Sequence, residues 1–258
     1  MIHTLRLFWV GWLFHQKSLL LSIFFVLISV LQPVIFASIA FFMWRTGSRE
    51  GTLLDIALGA GLMGMWSSTL FGSGGAIQWQ RWQGTLEILV AAPPRFLLTM
   101  LPLTLATATN GLYSVVATLF WGRVLFGVPL EFEQPLLFLL ALPATVLGLG
   151  LLGLVMASTF VLYRSASAFS NLLEYPVWLV TGLLVPVSLL PGWAEPLSWV
   201  LAPTWGVRAV RDAAHGTGEP LLAIGMCLVL AAVYLAIGWF TMANFERLAR
   251  TRATLSLT

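Results

Sequence analysis

Apolar residues in this chain form long unbroken blocks, separated by short polar or aromatic-rich connections, and do not alternate with polar ones. Six blocks stand out, near Ser18–Met43, Ile56–Ile77, Phe96–Phe126, Leu136–Tyr163, Ala166–Leu190 and Leu221–Phe245. A stretch of about 20 apolar residues crosses the hydrocarbon core as a helix, because in lipid the backbone must satisfy its own hydrogen bonds. Membrane barrels need short segments of alternating polarity, and these are absent. The pattern predicts an all-α membrane protein with six transmembrane helices in one domain over residues 1–258.

Residues 1–17 place Leu5, Phe8, Trp9 and Trp12 among Arg6, His15 and Lys17. This predicts either an amphipathic helix in the interfacial plane or a plain extension of the first span. The bundle then occupies residues 18–245 and a short tail residues 246–258. Pro33, Pro102, Pro143, Pro176 and Pro186 fall inside blocks, where neighbouring helices can satisfy the freed carbonyls. Gly59, Gly61 and Gly64, with Gly148, Gly150 and Gly153, predict close helix approach.

Two connections exceed simple turns. Between the second and third blocks, Gln78–Arg95 offers Trp79 and Trp82 as interfacial anchors, and Gly84-Thr85 to open a short helix with Thr85 as N-cap. Glu87 falls in the first turn of that helix, where the dipole favours it, and Pro93-Pro94 ends it. A rigid protrusion here serves either as a handle for a partner protein or as a connector resting on headgroups. Between the fifth and sixth blocks, residues 191–220 carry apolar runs too short to cross and too hydrophobic for a solvated loop. They predict short re-entrant or interfacial helices.

Composition agrees: hydrophobic residues make up 59% and charged ones 9%, too few to coat a soluble fold, which carries roughly 25%. With the N-terminus inside, that face collects eight of the thirteen Lys and Arg residues and three of the ten acids. The positive-inside rule therefore puts both termini in the cytoplasm. Cys227 has no partner cysteine and reports no redox compartment. No P-loop signature is present, so ATP phosphates are not cradled by this chain, and no Cys/His cluster offers a metal site. A serine hydrolase at Gly72-Ser-Gly-Gly75 would need a base, yet His3, His15 and His215 all fall outside the spanning blocks. Among intramembrane charges, Arg123 is near enough to a block end to snorkel. Glu174 belongs either to a polar pathway or interhelical contact, or to the same snorkelling class.

The segment Gln80-Arg-Trp-Gln-Gly-Thr-Leu-Glu-Ile-Leu-Val-Ala-Ala-Pro93 resembles the stretch after the second span of ABC-2-type (type V) exporter permeases, where E-[KR]-x-x-G-T-[LI]-E-x-L-x-x-[ST]-P recurs. Asn171, Pro176, Gly182, Pro186, Leu190-Pro191, Pro203 and Arg208 follow the order of that family's later pattern. Gln80 and Ala92 depart from it, which puts the partner-contact chemistry at those two positions in doubt.

The resemblance implies a permease subunit without its own ATPase site, which pairs with a separate ATP-binding cassette ATPase carrying ATP and Mg. It also implies a second permease, identical or related, and export across the cytoplasmic (inner) membrane. Arg81, Gly84, Thr85, Glu87 and Pro93 would form the docking and coupling segment. The path would run between the two permeases, with Glu174, Asn171 and Pro176 beside it. Few polar groups in the spans point to hydrophobic or amphiphilic cargo, such as drugs, antibiotics or lipids. No cofactor on this chain and no nucleic-acid partner are expected. A gradient-driven secondary transporter or channel, working without an ATPase, is the alternative.

Overall fold

The computed structural model describes the chain apart from residues 1, 22, 47–51, 86–87, 90–91, 93–95, 161–165, 185–186, 188–189 and 253–258. Among the described residues it is helical throughout, with no strand. The helices are α1 (Ile2–Leu21), α2 (Ile23–Thr46), α3 (Leu53–Trp82), α4 (Phe96–Phe126), α5 (Pro135–Phe160), α6 (Ala166–Val180), α7 (Ala194–Trp199), α8 (Ala202–His215) and α9 (Pro220–Arg252). Four described stretches are long and apolar enough to cross a membrane: Leu53–Ser73, Phe96–Phe126, Pro135–Thr159 and Pro220–Arg247. The expected first span falls on α2, part of whose side chains lie outside the described set.

The third block coincides with α4 at both ends, and local chemistry explains why. Gly127 adopts φ 68°, a left-handed conformation that stops a helix cheaply only at glycine. The Arg123 guanidinium donates to the Val128 carbonyl at 3.3 Å, closing the C-terminal end of its own helix. At the other end the Phe96 amide donates 3.1 Å to Oε2 of Glu246, from the far end of α9. Helix α3 opens on a reciprocal capping box. The Thr52 amide donates to Asp55 Oδ2 at 3.0 Å and the Asp55 amide to Thr52 Oγ1 at 3.2 Å.

The fifth block departs from expectation. Its helix ends at Val180 and not near Leu190. Fifteen residues rise about 22 Å, short of the roughly 30 Å hydrocarbon core. Thr181 turns its hydroxyl back to the Val177 carbonyl at 2.6 Å, and Gly182 takes φ 81°. The Leu184 amide then closes on the Trp178 carbonyl at 3.0 Å. Residues 191–220, where short helices are expected, hold α7 and α8. Helix α8 starts where Tyr234 of α9 accepts the Ala202 amide at 3.2 Å and donates to the Val200 carbonyl at 2.6 Å.

Helix α3 is the hub, packing on α2, α4, α5, α6 and α8, with 72% of its apolar window buried against 28% for α9. Glycine makes the closest approach possible. A Cβ on Gly111 would stand 2.9 Å from the backbone of Met65, so α3 and α4 touch main chain to main chain there. The six glycines read from the sequence all face another helix or loop in this way. Ser73, in the glycine-rich stretch, is buried and shares a 3.1 Å hydrogen bond with Thr107, with Gly153 packed against it, and so serves packing.

Candidate functional site

Three polar points interrupt the apolar bundle, one at each end and one between them. The first lies where α3 gives way to α4. Gly84, at φ 68°, ends α3, and the Thr85 amide reaches back to the Gln80 carbonyl at 3.0 Å in a Schellman closure. The Leu89 amide then donates to the Thr85 carbonyl at 3.0 Å, the first bond of a new helical turn. Thr85 therefore occupies the N-cap position expected of it. Its hydroxyl donates to the Gln80 side chain and carbonyl. Glu87 and Pro93 lie outside the described residues, and Arg81 belongs to α3 with its side chain outside the described set. The Phe96 amide held by Glu246, with the Phe96 and Phe245 rings 5.6 Å apart, then ties the start of α4 to α9.

Midway, Ser67 of α3 donates 2.6 Å to Oε1 of Glu174 on α6. Glu174 is 8% exposed, so it sits inside the bundle and does not snorkel. One turn further along α6, Trp178 is buried with its indole N–H unpartnered among the described residues, and its ring meets Phe36 of α2 edge-on at 5.8 Å. Pro176 faces outward and takes no part, and Asn171 lies on α6 with its side chain outside the described set. Of the expected path residues, Glu174 alone has a described polar partner. That partner, Ser67, carries no signal in the sequence.

At the opposite end α3, α6 and α8 meet. His215 Nε2 stands 2.7 Å from Asp55 Oδ1, both side chains about three-quarters buried. Arg211 donates to the carbonyls of Gly182 at 2.9 Å and Leu183 at 3.4 Å. Arg208 lies over the Trp205 ring at 5.2 Å. Burial pushes the Asp212 carboxyl above its ordinary range, opposed by Arg208, the Glu219 amide, Arg211 and His215. Sequence reading missed this cluster, although Thr52-x-x-Asp55 carries a capping-box signature that marks the start of α3.

Among the described residues no group of acidic, histidine or cysteine side chains could hold a metal ion. The sequence model of the ABC-2 type transporter family matches residues 17–215. No curated protein matches the chain.

Proposed function

With that match covering most of its length, the chain belongs to the ABC-2 type transporter family, and on this premise we propose that it is the permease half of an ATP-driven exporter of hydrophobic or amphiphilic compounds. It is a multi-pass membrane protein of an ABC transporter, and the family implies pairing with an ATP-binding cassette ATPase. ATP and Mg act on that partner. Two permeases, alike or related, enclose the path; both termini face the cytoplasm; and residues 191–220 re-enter from the outer side. Drugs, antibiotics and lipids are the cargo class that so apolar a set of helices accommodates.

One observation carries this reading: the hydrogen-bonded joint at Gly84–Thr85. The Schellman closure on Gln80 ties Thr85 to the end of α3, and Glu246 holds the first amide of α4. A push on the intervening segment therefore enters both helices. Force from ATP closure, delivered near Glu87, would reach the Ser67–Glu174 contact along α3. Glu174 and the α6 face beside it then belong to the path.

The test is Glu87→Lys in the permease expressed with its ATPase. Export and substrate-coupled ATP hydrolysis should be lost while insertion in the membrane is unchanged. Wild-type export with normal ATPase co-purification overturns the docking assignment. Export by the purified chain alone on a proton or sodium gradient would instead establish a secondary transporter.

A further inference from the structure

At the Asp55 end of the bundle, three elements converge on one point. A Cβ on Gly59 of α3 would lie 2.8 Å from the Leu183 carbonyl oxygen and 2.9 Å from Arg211 Nη2. The absent side chain is the space into which the guanidinium reaches. Arg211 there grips the carbonyls of Gly182 and Leu183, just past the last turn of α6. These two carbonyls lie in the turn that ends the helix, and a guanidinium is a strong donor to them. One turn away on both helices, Asp55 and His215 pair, so α8 lies against α3 through two successive turns.

The two sides of this contact are not equally anchored. The backbone amides of Glu133 and Gln134 hold the Ala214 and Ala213 carbonyls at 3.0 and 3.1 Å, and α8 also packs on α5 and α9. Among the described residues α6 leans chiefly on α3, with smaller contacts to α7 and, through Trp178, to Phe36 of α2. If the contact parts, α6 is the side that moves. Asp55 and Asp212 are close enough to offset the guanidinium charge, so Arg211 keeps counter-ions when its carbonyl acceptors leave. Its Nε is buried and donates to no described residue.

We propose that Arg211 is a positioning residue that latches the end of α6 against α3 and α8, and that each transport stroke withdraws α6 from it. This rests on the exporter reading above and adds which element moves and where it is held. The open state loses the two carbonyl contacts and keeps the Asp55–His215 pair, so α8 stays in place as α6 departs.

The experiment places a cysteine at Leu184, just beyond the grip, in a Cys227→Ala background, in the permease with its partner ATPase in membranes. A charged, membrane-impermeant maleimide reads exposure of that position. Arg211→Gln should raise the labelling rate about tenfold without ATP, as expected for losing hydrogen bonds from a charged donor. Arg211→Lys should fall between, since an ammonium supplies donors without the planar fork. Wild type should approach the fast rate only during ATP turnover. Equal rates in wild type and Arg211→Gln overturn the latch. Should Arg211→Gln fail to insert, Gly59→Ala displaces Nη2 sterically, and an unchanged rate there overturns it equally. Export measured on the wild-type preparation separates the two readings. Active ATP-driven export with ATP-insensitive labelling sinks the latch alone, whereas no ATP-driven export sinks the exporter reading and the latch with it.

Discussion

Removing the Ser67 hydroxyl tests the buried Glu174 contact most directly. The Oγ–Oε1 distance is 2.6 Å, and Ser67 and Glu174 are 2% and 8% exposed. Interhelical side-chain hydrogen bonds in membranes average about 0.6 kcal/mol, with a maximum near 1.7 kcal/mol. A carboxylate acceptor roughly doubles a neutral bond, and burial excludes water as a substitute partner. Ser67→Ala should therefore cost about 1–2 kcal/mol, since it leaves the carboxyl without a described partner. Glu174→Met removes the polar group at similar length, and Ser67→Ala on that background should cost only a few tenths of that. The coupling energy from the double-mutant cycle is then about 0.7–1.4 kcal/mol, in the upper half of the membrane range. Unfolding in lipid–detergent micelles on a rising SDS fraction, followed by tryptophan fluorescence, measures it. A coupling below about 0.3 kcal/mol would refute the assignment of this bond as the tie between α3 and α6.

Two further outcomes follow from packing and capping. Gly111→Ala forces a Cβ against the Met65 backbone and should cost about 1–3 kcal/mol, whereas Gly192→Ala, with nothing within 4 Å, should stay within about 0.5 kcal/mol; the same unfolding assay compares them. Glu246→Ala leaves the Phe96 amide uncapped and should speed hydrogen exchange of the amides at 96–99 by about fivefold, while Glu246→Gln, which retains an acceptor, should restore most of the protection; unchanged exchange in Glu246→Ala would contradict the clamp.

The spans were most legible where the chain itself marks their ends. Block three agrees with α4 because prolines precede it and Gly127 stops it, both local effects. Block five was over-extended because Leu183–Leu190 is apolar, and hydropathy does not register a turn made by Thr181 and Gly182. Thr85 opens the helical turn expected of it, its carbonyl accepting the Leu89 amide, but its bond to Gln80 could not be read from the sequence. Glu174 was visible as an anomalous charge, but Ser67 is 107 positions away and serines are common in packed spans. The Arg211 and His215 contacts join three separated stretches of chain, so no local period or spacing could have revealed them.

Helix α9 deserves a mechanical reading. Its 33 residues extend about 50 Å, and it is gripped at two heights, by Glu246 on the first amide of α4 and by Tyr234 at the root of α8. A helix hardly stretches, so these attachments stay at a fixed spacing along its axis. It thus works as a tie rod: a tilt imposed where α4 begins shifts the base of α8 in the same movement, along a route that bypasses α3.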